Sequence, residues 1–228
     1  MTLHFLPGEP EIAVHLRRNA RARRISLRVS RLDGKVTLTL PNRLPENEGL
    51  AFARQKESWI RKQLAERPEQ VCVTVGDSLP FQGDLLDIVA SAAVRVCVQG
   101  EQLCVPHGMA EVGPKVERFL KAEARARLKE AADHYAGALG VDYTKLTLRD
   151  TRSRWGSCTS ERGLMFSWRL IMAPAEVLRY VAAHEVAHLV EMNHSPAFWS
   201  VVDQIYGPHQ MERNWLKQHG EKLHRFRF

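Results

Sequence analysis

Residues 184–194 read His-Glu-Val-Ala-His-Leu-Val-Glu-Met-Asn-His, and the spacing inside this string commits one place in the chain to a helix. His184 and His188 are four residues apart, so on a helix they stand one turn above each other, about 40° apart in direction, and share a face. Glu185 is rotated by about 100° from His184. The flanks agree with a helix over 174–192: Pro174 can open it, Glu176 suits its first turn, and Val177, Leu178, Val181 and Leu189 supply apolar faces around the histidines. Asn193 tolerates the left-handed conformation that ends helices, and Ser195-Pro196 reads as an N-cap followed by proline at the first position of the next helix.

Two imidazoles one turn apart can clamp a single tetrahedral ion, and a carboxylate turned away from them is placed to reach a water on that ion's open side. The expectation is therefore one Zn2+ per chain, with His184 and His188 as ligands and Glu185 as general base and acid. A catalytic zinc site takes three protein ligands, so a third is required. His194, folded back by a turn at 192–195, is one candidate; Glu191, three residues after His188, is the rival if the helix runs on. The motif argues for hydrolysis and leaves the bond open.

The bulk numbers bound the rest. The chain has 228 residues, of which 44% are hydrophobic and 26% charged, the profile of a soluble protein of one or two domains, and no apolar run reaches the length of a membrane span. Residues 1–10 have neither a basic segment nor a long apolar one of the signal-peptide kind, so the expected compartment is the cytoplasm, with no membrane partner. Cys72, Cys97, Cys104 and Cys158 form no Cys-x-x-Cys pair; the first three sit in apolar strand-like runs and read as buried thiols. The net charge of +7 favours anionic partners. Arg17, Arg18, Arg21, Arg23, Arg24, Arg28 and Arg31 fall in a stretch without an acid, a run that can track phosphates and is more commonly a solvated face.

Along the chain, Ile25, Leu27 and Val29 alternate with polar residues, and the alternation resumes after Asp33-Gly34 with Val36, Leu38 and Leu40, which predicts a β-hairpin. Pro45 opens a helix with Phe52, Trp59, Ile60 and Leu64 as its core side. Short apolar runs from Val71 to Val105 predict further strands, and Gly113-Pro114 introduces a long helix ending near Gly140. Strands follow at 146–148 and 163–171, and helices at about 195–206 and 209–224. The predicted class is α+β: a strand-rich part with one helix over 1–110, then a catalytic part over 111–228 in which helices 114–139 and 174–192 pack on a small sheet.

The strings Ser153-Arg154-Trp155-Gly156-Ser157-Cys158, Ser167-Trp168-Arg169-Leu170-Ile171, His184-Glu185-x-x-His188 and Asn193-His194-Ser195-x-x-Phe198-Trp199 together resemble the bacterial YgjP-like metal-dependent hydrolases, minimal zincins related to the SprT-like and WLM metallopeptidases. The resemblance implies that His184, His188 and His194 bind zinc and that Glu185 is the catalytic acid and base. Metzincins share the ligand spacing but have glycine where this chain has Glu191, so the turn to His194 is made differently here. Three readings of partner follow. A peptide or protein substrate is the first, added as an extra strand to an edge around Leu164–Leu170, with Trp155 or Trp168 near the cleft and Tyr206, Arg169 or Arg154 as donors to the developing oxyanion. The resemblance also carries an attribution of nucleoside triphosphate pyrophosphatase activity, although the chain has no Walker-type loop. The third is association with nucleic acid through Arg17, Arg18, Arg21, Arg23 and Arg24, as a binding module or a DNA-linked protease.

Overall fold

Alternating apolar residues build the first sheet. In a computed structural model that describes residues 2–30, 33–66 and 69–228, strands β1 (Thr2–Leu6), β2 (Ile12–Arg18), β3 (Ser26–Val29) and β4 (Val36–Leu40) lie in the order β1-β2-β4-β3. The predicted hairpin is present, with Leu27 opposite Leu38 and Val29 opposite Val36. Arg31 lies outside the described residues. Ile12, Val14, Leu16, Val36, Leu38 and Leu40 turn to one face and form a core with Ala53 and Ile60. The helix expected after Pro45 is two helices, α1 (Glu46–Gln55) and α2 (Glu57–Ala65), because Lys56 leaves helical geometry at φ −97°, ψ 10°. The break resets the helical phase, so Ile60 is buried while Trp59 is exposed rather than in the core.

The chain divides into two compact units, Met1–Glu69 and Gln70–Phe228. The division expected near 110 falls inside the second unit, and the reason is packing: Leu79, Leu86, Ile88, Leu103 and Val105 share one hydrophobic core with Val116, Leu120 and the helices that follow. In that unit β6 (Ser78–Phe81), β7 (Asp84–Ser91), β8 (Cys97–Gln99) and β9 (Gln102–Pro106) make a sheet of order β6-β7-β9-β8, and β5 (Val71–Cys72) pairs with the C-terminal β13 (Phe226–Arg227). Cys104 is buried as expected, Cys97 is half-buried, and Cys72 is exposed, the residue beside it in β5, Val71, being the one that packs on the core.

Helix α3 (Val112–Leu139) ends at Gly140, where the sequence places its end, and Gly140 closes it in the left-handed conformation at φ 63°. A three-stranded sheet holds β10 (Lys145–Arg149), β11 (Gly156–Cys158) and β12 (Gly163–Ser167), in the order β10-β12-β11. The strand expected to continue to Ile171 ends at Ser167, and residues 168–172 form a 3₁₀ turn. Helices α4 (Ala175–Ala187), α5 (Pro196–Ile205) and α6 (Gln210–His219) complete the unit, with a second 3₁₀ turn at 220–225.

Arg169 ties the 3₁₀ turn to the C-terminus. Its guanidinium is buried, meets both oxygens of Asp150 at 2.6 and 3.0 Å, donates to the carbonyls of Leu223 and Phe226 at 2.9 and 3.2 Å, and lies 4.7 Å from the Trp168 ring centroid. Replacing Arg169 with Leu strands these acceptors and should lower stability by about 3 kcal/mol, measured by urea unfolding. His224 packs 5.4 Å from Trp155, and burial, reinforced by the positive charge of Arg169, lowers its pKa from 6.5 to about 4. The folded chain keeps this imidazole neutral where the unfolded chain protonates it, so its stability contribution is complete above about pH 6.5 and is lost as pH falls toward 4. His224→Asn should therefore lose less stability between pH 7 and pH 5 than the parent, read from urea midpoints at the two values.

Candidate active site

Helix α4 carries the first two histidines and ends at once. His188 is its C-cap, and the next N–H groups bond three residues back in a tightened turn, Leu189 to Val186 and Val190 to Ala187, at 2.9 and 3.0 Å. The helix expected to reach 192 thus stops at Ala187, which removes Glu191 from the helical stripe. Glu191 contributes its backbone instead: His188 Nδ1 donates to the Glu191 carbonyl at 3.0 Å, which leaves Nε2 with its lone pair. No described residue between 188 and 195 has a positive φ, so the turn uses no left-handed Asn193. Ser195 caps α5 as expected, its Oγ accepting from the Phe198 N–H at 3.3 Å, with Pro196 at the first helical position.

This route brings His194 back to the helix. Its Nε2 lies 3.0 Å from His184 Nε2, and the three imidazoles of His184, His188 and His194 place ligand atoms within 4.8 Å of one another. Three nitrogens on a tetrahedral ion with bonds of about 2.0–2.1 Å are separated by roughly 3.3 Å, so the cluster has the size such a site needs. Burial lowers the pKa of His184 to about 3 and also lowers that of His188, the neighbouring histidines adding to the effect. Neutral imidazoles with lone pairs turned inward are the form that ligates a metal. Among the described residues this is the one group of three or more histidine, cysteine or acidic side chains that can hold an ion.

Aromatic rings hold the cluster from behind. Phe198, fully buried, lies 4.9, 4.4 and 4.8 Å from His184, His188 and His194. A second layer is a stack: the His209 ring lies between Tyr180 and Trp199, 5.3 Å from each and within 9° of parallel, and Arg213 covers Trp199 at 4.6 Å. The sequence singled out His209 only by its nearness; the structure makes it a spacer and not a ligand.

Glu185 is buried on the side of α4 that faces β11. Burial raises its pKa from 4.5 to about 8, against the opposing pull of the Arg154 charge and the Cys158 backbone N–H that donates to it. Strand β11 approaches so closely that a Cβ on Gly156 would stand 2.5 Å from Glu185 Cγ and Oε1, a contact no alanine accommodates. The spacing of residues in the chain gives no sign of this requirement, which is set by α4 and β11 meeting in space.

A cleft of about 420 Å³ opens onto the three histidines and Glu185, lined also by Arg154, Trp155, Cys158, Tyr180, Met192 and Leu216. Of the two tryptophans, Trp155 lines the cleft while Trp168 is core. The three expected oxyanion donors separate as clearly. Arg169 is committed to Asp150, the Tyr206 hydroxyl donates to the Glu176 carbonyl at 3.0 Å, and Arg154 alone reaches the cleft. The edge expected around Leu164–Leu170 is not an edge, because β12 is the central strand, paired in parallel with β10 and antiparallel with β11. The outer strand is β11. The Ser167 N–H bonds the Trp155 carbonyl at 2.8 Å, so by the alternation of an antiparallel ladder Gly156 and Cys158 turn their N–H and C=O groups away from β12 and toward the cleft.

The family model for the YgjP-like metallopeptidase domain matches residues 23–219. The chain belongs to the YgjP-like family. That span takes in both units and the whole constellation around α4, and it makes the protein a metal-dependent peptidase in broad terms. No curated protein matches the chain. The crystal structure of the metallopeptidase zymogen of Pyrococcus abyssi abylysin is similar over 40% of this chain and 94% of that one, at 18% identity and a TM-score of 0.36, a likeness too slight to support any detail.

Gly156→Ala should push the Glu185 carboxyl out of position while leaving the fold intact. We expect hydrolytic activity to fall by about 100-fold, the size of effect an ångström-scale misplacement produces, with a thermal midpoint near that of the parent.

Proposed function

We propose that the protein is a zinc-dependent peptidase in which His184, His188 and His194 hold one metal ion and Glu185 is the general base and acid. The observation that carries this reading is the convergence of three imidazoles on one point, with a buried carboxyl beside them and a strand edge along the same cleft. An all-imidazole set suits zinc, which, once bound, polarises the substrate carbonyl and acidifies a water for attack.

The chain's own groups account for the rest. An extended peptide added to β11 meets the outward N–H and C=O groups of Gly156 and the outward C=O of Cys158, whose N–H is given to Glu185, and this sets its scissile bond against Glu185. The Glu185 carboxyl, raised by burial, accepts a proton from the attacking water and returns it to the leaving amine. Arg154, exposed at the mouth of the cleft, is the cation free to face the oxyanion. Trp155, Tyr180, Met192 and Leu216 offer an apolar wall for a neighbouring substrate side chain. A nucleoside triphosphate is a poorer fit, since the cleft has one guanidinium and the described residues hold no carboxylate cluster for Mg2+. The four free cysteines suit a reducing compartment and support work in the cytoplasm.

The test is metal content and hydrolysis measured together. Purified protein should carry one zinc per chain and cleave an unfolded protein substrate, with nucleoside triphosphates assayed in parallel. Glu185→Gln should keep the zinc and lose activity by at least 1000-fold; unchanged activity removes the mechanism. His194→Ala should lose the zinc while Glu191→Ala retains it, and the opposite pattern makes Glu191 the third ligand.

A further inference from the structure

We propose that the outer face of the β1–β4 sheet, in the unit Met1–Glu69, binds single-stranded nucleic acid. No residue of this face is among those lining the cleft at the histidine cluster, and its composition is that of a polyanion surface. Residues 1–69 carry 14 Lys and Arg against 8 Asp and Glu, so that this unit holds six of the chain's seven net positive charges. None of the four strands contains an acid, and the run from Ile12 to Ser30 contains none either.

The sheet register shows where the charge points. With the even positions of β2 turned to the core, Ala13, His15 and Arg17 face outward, joined by Thr37 and Thr39 of β4 and by Ser26 and Arg28 of β3 through the pairs His15↔Thr37, Arg17↔Thr39, Ser26↔Thr39 and Arg28↔Thr37. Arg17 is braced by its Nε bond to Thr39 Oγ1 at 3.0 Å, and Arg18 by carbonyls of the β4–α1 connection. Arg21, Arg23, Arg24 and Arg28 are exposed and have no side-chain partner among the described residues. The outcome is a pair of ordered arginines continued by a row of unneutralised ones along one edge of the sheet.

Charge alone would fit any polyanion. Phe5 narrows the class. It is 52% exposed on the same outer face, and its cross-strand neighbour is Ala13, whose methyl group leaves the ring's flat side open; His15 stands one row on, beside the 50% exposed Leu3. A sheet face that carries an exposed aromatic ring on edge strand β1 and arginines on β2 and on the opposite edge strand β3, with small or hydroxylated residues between them, matches what a strand of unstacked bases and phosphates laid across it requires. A duplex hides its base faces and gains nothing from Phe5.

Fluorescence anisotropy of the full-length, metal-loaded protein with a labelled 20-nucleotide single strand, as RNA and as DNA of the same sequence, and with the matching duplex, tests this across a KCl series. Single strands should bind at least tenfold more tightly than duplex, with a slope of log K against log salt of about −3 for four phosphate contacts. Preference for RNA indicates a contact to the 2′-hydroxyl and equal affinity indicates reading of bases and phosphates alone; either supports the proposal. Arg21→Ala/Arg23→Ala/Arg24→Ala should make the slope shallower by about 2. Phe5→Ala should weaken single-strand binding about tenfold at unchanged slope, with peptidase activity intact; if that variant unfolds, Phe5→Leu keeps an apolar strand residue and should show the same loss. Duplex bound as tightly as single strand, or affinity indifferent to both Phe5 variants, overturns the proposal. So does binding to vesicles containing 30% phosphatidylserine with none to nucleic acid, which would make the face a lipid-contacting one.

Discussion

The enclosure of α4 governs the site. Val177, Leu178, Val181, Ala182, Ala183, Val186 and Ala187 are all buried, so α4 is enclosed by α3, α5, α6 and the strands β11 and β12. A helix packed in this way has no freedom to turn or slide, and interiors at that density resist local shifts. His184, Glu185 and His188 inherit that rigidity. The same burial removes water from them, which lowers the histidines' pKa values and raises that of the carboxyl, so one physical cause prepares both the metal-binding form of the imidazoles and the proton-accepting character of Glu185.

Two further contacts turn the rigid helix into a site. The early end of α4 at His188, held by the His188–Glu191 bond, swings the chain so that His194 returns over Phe198 to within 3.0 Å of His184. The close approach of β11 at Gly156 places an open strand edge against Glu185. The histidine cluster, the buried Glu185 carboxyl and the outer strand β11 therefore meet because one helix end, one aromatic ring and one missing Cβ coincide.

The charge of the chain is segregated as sharply as its chemistry. The unit Gln70–Phe228, which contains the metal-ligand cluster, has 19 basic and 18 acidic residues, while the unit Met1–Glu69 is strongly basic. The bulk net charge says nothing about hydrolysis for that reason: it describes a surface on the other unit. Arg169, in contrast, is a cation spent within the fold, buried against Asp150 and two carbonyls.

Periodicity alone determined a good part of this protein. The hairpin of β3 and β4, the long helix closed by Gly140, the helix bearing His184 and His188, and the Ser195-Pro196 start of α5 all depend on contacts within a few residues, which local sequence encodes. Where an expectation failed, a distant partner decided. The strand through Trp168–Ile171 became a 3₁₀ turn as Arg169 reached Asp150 and the C-terminal carbonyls, the free strand edge lies on β11 and not on β12 because β10 occupies the other side of β12, and the unit boundary lies at 69 and not 110 because β6–β9 share their core with α3. The choice between Glu191 and His194 is a different case: both are compatible with the string of residues, and the point at which α4 stops, with the Glu191 carbonyl turned to His188, brings His194 to the cluster.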